Sequence, residues 1–411
     1  MISQEPVSTN IISIEQLFPD SIEQYLDNTL AAIQQDINSQ FNLNFEIQPR
    51  APHRKFTPVL TIAKPDDALN ITNICREVYE GSYPYREMED PEYVQEMINS
   101  PEHHFILFKT KQGEPAGCFR CALDFEHKKG YMGGFMIRKK FQGDLDVVKA
   151  IMGSYMWMWT TFKDEILVWW CENRTAHTAS QYITAVCGIH TVAFFPNKDI
   201  FYNQIESDVM GIIFVRKALR TMRTTKNPII IKSVFNCFNY SNNLYNLGNV
   251  EIANPKYNLD SSVIVELKKR FYKTIIKDEY GYEHIKFYIE GTNSFFSFIH
   301  TTHLKNFEKI KYHIFCLEEL HIFLQELKKS IKEYNIRYCE LFISAYRPEY
   351  QQILYNQGFR ARGYIPCWYY NKEKNEFEDA VVFNYYKGDL ECMSLLPEGQ
   401  KLVKILNLNY E

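Results

Sequence analysis

A glutamate and a histidine bracket the run Glu172-Asn173-Arg174-Thr175-Ala176-His177, between a short apolar segment and a helix start. Both side-chain types move protons. A group whose pKa lies near the operating pH speeds a proton-transfer step by about 10²–10⁴-fold. Glu172 closes the apolar run 166–171, where desolvation would raise a carboxyl pKa; an ion pair with Arg174 is the alternative. His177 precedes Thr178, the expected helix cap, and a helix N-terminus would keep its imidazole neutral and able to accept a proton. A hydrogen-bonded structural histidine is the alternative there.

A second constellation is the turn Lys140-Phe141-Gln142-Gly143-Asp144-Leu145. It opens a helix expected over 144–162, whose stripe is Leu145, Val148, Met152, Tyr155, Met156 and Trp159. Helix starts present unpaired amides and partial positive charge, which suits an anion such as phosphate. Asp144 and Asp146 would repel one and equally make an ordinary helix cap; Arg138, Lys139, Lys140 and Lys149 would offset them or remain solvated. Both readings stay open.

Other chemistry-bearing residues read more simply. Cys118 and Cys121 face opposite sides of a strand, and no second pair completes a zinc site. His103, His104, His300 and His303 lack carboxylates at metal-ligand spacing, so no metal is expected. Glu87, Glu89, Asp90 and Glu92 form an acidic loop that would attract an amine, or simply face solvent. Trp169 and Trp170 are adjacent, so one faces away from the core and would wall a pocket. The stripe Lys268, Lys269 and Arg270 reads as a solvated helix face.

At 411 residues, the chain exceeds one hydrophobic core, so two domains are expected. A formal charge of −4 gives no footprint for nucleic acid, and no apolar run approaches the roughly 18 residues of a membrane helix. Residues 1–20 do not read as a signal peptide, and ten scattered cysteines suggest reduced thiols and a cytoplasmic protein. Hydrophobic periodicity predicts helices over 20–40, 66–79, 90–98, 178–187, 317–334 and 348–357, and strands over 56–62, 104–109, 115–125, 131–137, 166–171, 191–195 and 208–215. Later strands are expected over 285–289, 294–301, 307–315, 338–344, 362–369 and 379–385, with a helix over 261–271. The capping box Thr178-Ala179-Ser180-Gln181 would open the 178–187 helix.

One pattern occurs twice. Cys187-Gly188-Ile189 leads to Phe194-Phe195-Pro196, then to Ser207-Asp208-Val209 and an apolar run to Phe214. Gln357-Gly358-Phe359 leads to Tyr364-Ile365-Pro366, then to Glu378-Asp379-Ala380 and a run to Phe383. A helix ending in Gly, a strand, a Pro-bounded loop and a second strand are therefore repeated.

With its element order, this repeat resembles the GNAT superfamily of N-acetyltransferases in tandem, over roughly 56–215 and 262–386. The resemblance implies a mixed α/β (α+β) fold of two acyl-CoA N-acyltransferase-like domains, each a mostly antiparallel sheet flanked by helices. The expected division is a helical extension over 1–55, a domain with the acyl-CoA site over 56–215, a linker over 216–260, a degenerate domain over 261–388 and a tail over 389–411. The resemblance further implies acetyl-CoA or another acyl-CoA as co-substrate, lying between strands that splay at 131–137 and 166–171. Phe135, Met136 and Ile137 would meet its amides, and Gln142, Gly143, Asp144 and Leu145 its pyrophosphate. Glu172 and His177 would be catalytic, and the acceptor a small amine or amino acid.

The family's signature, Gln/Arg-x-x-Gly-x-Gly/Ala, is kept at Gly143, but Lys140 takes its first place and Leu145 its last. Thr184 stands where a tyrosine acid is common, Tyr355 is one position displaced in the second copy, and the acidic start Phe315-Cys316-Leu317-Glu318-Glu319 has no glycine. Aminoacyl transfer by a tandem unit of this type, or a non-catalytic metabolite- or protein-binding module, are the competing readings.

Overall fold

A computed structural model describes residues 11–12, 55–391 and 393–408; the helix expected over 20–40 lies outside them. The chain forms two compact units. One takes the residues up to Glu172 with Tyr182–Ile189 and Ile212–Lys217, and the other takes Asn173–Gln181, His190–Gly211 and the remainder from Ala218. The expected segments are therefore interleaved, because residues 190–211 cluster with the later part of the chain.

In the first unit, β1 (Ile11–Ile12), β2 (Val59–Ile62), β3 (His103–Lys109), β4 (Pro115–Asp124), β5 (Lys129–Ile137) and β6 (Val168–Arg174) are neighbours in that order. All pairs are antiparallel except β5–β6. Period-two alternation sorts the side chains by face. Phe108 of β3, Phe119 and Cys121 of β4, and Trp169 and Cys171 of β6 join the core. There they meet Ile151, Met152, Tyr155 and Trp159 of the helix Val147–Thr161. Burying a side chain such as Phe119, 1% exposed, contributes roughly 2–3 kcal/mol. The helices α1 (Ala68–Tyr79) and α2 (Pro91–Asn99) pack on β3, β4 and β5. The Val147–Thr161 helix is α3, and α4 is Ala179–Val186.

The second unit contains β7 (His190–Phe201) and most of β8 (Gln204–Phe214), joined through Tyr202 and Asn203, both left-handed (φ 52° and 62°) as tight hairpins require. The segment expected to be a linker is structured: α5 (Arg216–Arg220), β9 (Ile229–Ile231), α6 (Phe235–Tyr245) and β10 (Glu251–Ala253). Next come α7 (Ser261–Lys269), β11 (Phe271–Lys277), β12 (Glu283–Ile289), β13 (Phe295–Thr301), β14 (Asn306–His313), α8 (Leu317–Glu333), β15 (Tyr338–Ser344), α9 (Pro348–Asn356), β16 (Arg360–Asn371), β17 (Glu376–Tyr386) and α10 (Pro397–Ile405). Strand order here is β8-β7-β16-β17-β15-β14-β13-β12-β11. Leu402 and Val403 of α10 share a core with Phe194 and Tyr240, which gives the tail a packing role that the sequence did not reveal.

The fold class matches expectation: mixed α/β with mostly antiparallel strands flanked by helices in both units. Local devices recur. Gly188 (φ 75°) and Gly358 (φ 94°) end α4 and α9, and the next residues donate back to Thr184 O (3.0 Å) and Leu354 O (3.1 Å). The two prolines do not bound loops, as had been expected. Pro196 and Pro366 lie inside β7 and β16, each followed by a left-handed residue, Asn197 or Cys367. The amides of those residues donate to side chains of the hairpin partner: Ser207 Oγ at 2.9 Å and Asp379 Oδ1 at 3.0 Å.

Candidate active site

The parallel pairing of β5 with β6 covers only Lys129↔Val168, Gly130↔Trp169 and Tyr131↔Trp170. Residues 132–137 and 171–174 then run on unpaired to each other. On the other side of β5, register with β4 shifts between Cys118 and Arg120, a bulge centred on left-handed Gly134 (φ 61°). Such a bulge re-aims the strand, and here it sits where the pairing to β6 has just ended. Gly133 has no room for a side chain, since an added Cβ would come within 2.5 Å of the Tyr131 ring. That ring packs against Trp170 at 4.6 Å between centroids. Trp170 therefore faces away from the core that holds Trp169, as the alternation requires.

Phe135, Met136 and Ile137 line β5 along the unpaired stretch; Met136 is buried, and the Ile137 carbonyl accepts from Gln142 Nε2 at 3.1 Å. The following turn is largely satisfied from within. The amide of Gln142 donates to Lys139 O, and those of Asp144 and Leu145 to Phe141 O. The Asp146 amide donates to Phe56 O at 3.0 Å. Leu145 is fully buried in the core, so its side chain anchors the turn. Gly143 is left-handed (φ 94°) with open space beside it. Among the described residues, the amides of Gly143, Val147 and Val148 donate to no protein acceptor. Asp146 caps α3, its Oδ1 accepting from the Lys149 amide at 3.2 Å. The nearby cations are committed as well: Arg138 to Glu77 (2.6 Å), Lys139 to Glu80, Lys140 to Glu114, and Lys149 to Asp146 (3.9 Å).

Glu172 follows Trp170 on the same face of β6 and is half-buried. His177 is exposed and belongs to the other unit, so the two catalytic candidates are not parts of one compact body. The expected capping box is not formed by Gln181. Its amide nitrogen instead donates to Arg174 O, His177 O and Ser394 O, and its oxygen accepts from the Leu396 amide. Arg174 pairs with Glu206, with bonds of 2.6 and 2.7 Å. In the acidic loop, Asp90 Oδ1 caps α2 by accepting from the Glu92 amide at 2.9 Å, and Glu89 O accepts from Arg76.

The face that carries Tyr131 and Trp170 also carries Arg120, His103 and Tyr83. Burial, with the neighbouring Arg120 and His104 charges, lowers the His103 pKa to about 4. Burial likewise pushes the Tyr83 phenol far up, with Arg120 opposing the shift. Neither Arg120 nor the Val147 and Val148 amides had a sequence signal beyond position in a strand or a helix start. Among the described residues, no group of three or more His, Cys, Asp and Glu is placed to hold a metal, and no helix is long and apolar enough to cross a membrane.

No protein-family model and no curated protein sequence matches the chain. Solved structures that resemble it include a spermidine/spermine N-acetyltransferase from Vibrio cholerae, at 13% identity and TM-score 0.34, covering 39% of this chain and 96% of that one. A ribosomal-protein-S5-alanine acetyltransferase from Vibrio fischeri resembles it at 14% identity and TM-score 0.34, covering 38% and 93%. With scores this low, the functional reading rests on the site's own geometry.

Proposed function

We propose that the chain is an N-acyltransferase that moves an acyl group, most simply acetyl, from coenzyme A to the amine of a small molecule or amino acid. The observation that supports this most is the parting of β5 from β6 beside the Gly134 bulge, with three uncommitted amides at the start of α3. A thioester's narrow arm would lie along Phe135, Met136 and Ile137, and its pyrophosphate on the amides of Gly143, Val147 and Val148. Gln142, Asp144 and Leu145 would shape that turn. The amine nitrogen attacks the thioester carbonyl, the C–N bond forms and the C–S bond breaks. Glu172 takes the amine's proton and gives it up to solvent, and the departing thiolate takes a proton from solvent to leave as the coenzyme A thiol. His177, exposed and in the other unit, is the weaker catalytic candidate.

The repeated order of bulged strand, helix, parting strand, Gly-capped helix and Pro-interrupted hairpin favours a duplicated acyltransferase-like architecture. On this reading, 56–215 and 261–388 are the two sequence copies. A second reading, a non-catalytic binding module, draws on Asp146 capping α3 and on the ion pairs that neutralise Arg138, Lys139 and Lys140.

Thiol release from acetyl-CoA, measured with a panel of amines and amino acids, tests the proposal. Glu172→Gln is expected to lower turnover by about 10²–10⁴-fold while leaving acetyl-CoA affinity unchanged. Absence of thiol release by the native chain with every amine overturns the transferase reading and leaves the binding module.

A further inference from the structure

Among the described residues, Arg120 is a charged side chain without a counter-ion. It stands on β4 opposite Gly133, and its Cβ lies 3.2 Å from where a side chain on Gly134 would begin, at the bulge itself. It alternates with Phe119 and Cys121, which face the α3 side, so it points to the α1/α2 face with Tyr131, Trp170 and Glu172. Its Nη1 reaches only the thioether sulfurs of Met88 and Met97, each at 3.6 Å, and thioethers are weak acceptors. Its Nε is buried and has no hydrogen-bond partner among the described residues. The cations around the turn after β5 each pair with a carboxylate; this one, closer to the parted strands, pairs with none among the described residues.

Even partial desolvation of a guanidinium without an anion is unfavourable, and proteins normally pair such a charge. Its planar fork of donors matches a carboxylate in two-point geometry. We propose that Arg120 binds the carboxylate of the acyl acceptor, which makes the acceptor an amino acid or another amine bearing a carboxylate, rather than a polyamine. This rests on the transferase reading above. With the carboxylate on Arg120 and the acceptor's body against Tyr131 and Trp170, the amine is directed towards Glu172 and the parted strands. The ring wall selects an acceptor with apolar or flat bulk next to its carboxylate.

The test uses the full chain, acetyl-CoA, the common α-amino acids, the same amino acids as carboxamides, and spermidine. Free acids are expected to turn over and their carboxamides to be poorer by roughly 10- to 100-fold in kcat/KM, the value of a lost charge-assisted pair. Arg120→Gln should raise KM for the acids by a similar factor, with kcat and acetyl-CoA affinity little changed, and should abolish the preference over carboxamides. Arg120→Lys should restore part of it. Equal rates on acids and carboxamides, or a preference for spermidine, overturn the inference while leaving the transferase reading intact. Failure of every acceptor together with loss of acetyl-CoA binding removes the transferase reading itself. A measurement without turnover guards against a folding artefact: in ligand-free protein, Arg120→Met should melt no lower than the native chain, because it replaces a partly buried, unpaired charge by an apolar neighbour of Met88 and Met97. A clear drop in melting temperature means that Arg120 already has a partner within the protein, and the proposal fails.

Discussion

The chain holds two places where a parallel strand pair parts beside a bulge, and they have been filled in opposite ways. In the first unit, β5 and β6 separate after Tyr131↔Trp170, next to Gly134; in the second, β14 and β15 separate after Phe307↔Cys339, next to Lys309 (φ 54°). The bulge registers align Gly133 with Glu308 and Arg120 with Ile299. Around β14 and β15 several polar groups are consumed internally. Tyr338 donates to Glu340 Oε2 at 2.6 Å, Lys198 pairs with Glu340 at 3.5 Å, and the Tyr312 hydroxyl on β14 reaches Phe342 O on β15 at 3.2 Å. The helix starts differ likewise. Glu319 accepts from the Phe315 and Cys316 amides at the start of α8, whereas the amides of Gly143, Val147 and Val148 around the start of α3 donate to no acceptor among the described residues. Buried polar groups demand partners. The second site's helix start and strand gap find theirs in the protein, and the first leaves backbone donors for something else.

The bulge glycine is where the two parted pairs differ most in consequence. Gly134→Val places a β-branched residue in left-handed backbone, at roughly 1–2 kcal/mol, and crowds Arg120 Cβ. Acetyl-CoA binding should fall at least about 100-fold, a value that corresponds to roughly 3 kcal/mol. Lys309→Gly relieves the same conformation in the second unit and should raise stability by about 0.5 kcal/mol with binding unchanged. Chemical denaturation and binding isotherms read both.

Histidines at the two sheets give a second contrast. His300 meets Glu283 at 2.8 Å, while His103 has a buried Nδ1 without a partner, beside Arg120. The folded His103 pKa is depressed, to about 4 from 6.5, so between these values the unfolded chain holds the extra proton. Its contribution to stability is therefore full above pH 6.5 and is lost as pH falls towards 4. His103→Gln should flatten the fall in melting temperature over that window, and an unchanged profile refutes the assignment.

The smallest expected effect is at the α3 cap. Asp146→Asn keeps a capping side chain but removes a negative charge from the proposed phosphate site. Acetyl-CoA should bind about 2- to 5-fold tighter, matching the 0.3–1 kcal/mol of a charge at a helix start. Weaker binding would place the phosphates elsewhere.

Much of this architecture was legible because it depends on local chemistry. Gly188 and Gly358 announced helix ends, and Pro91 a helix start. Other features were hidden by tertiary context. Strand β11 is exposed along most of its length, so it lacked the alternation that marks a half-buried strand. The Asn-rich segment of α6 read as linker because its buried Tyr240 belongs to a core completed by distant residues, among them Phe194 of β7, Val209 of β8 and Leu402 and Val403 of α10. Pro196 and Pro366 looked like strand ends, yet a left-handed residue after each lets the strand continue. Leu145 looked like a flaw in a phosphate turn, and it is the turn's core anchor. Arg120 was invisible, since a polar residue alternating with apolar ones reads as solvent-facing until α1 and α2 are known to cover it.

Isothermal titration of the full native chain with acetyl-CoA asks whether the parted β5 and β6 hold the thioester. The account predicts one site per chain, abolished by Gly134→Val and unaffected by Tyr312→Phe. Two sites, no binding, or a site lost with Tyr312 but kept with Gly134→Val contradicts it.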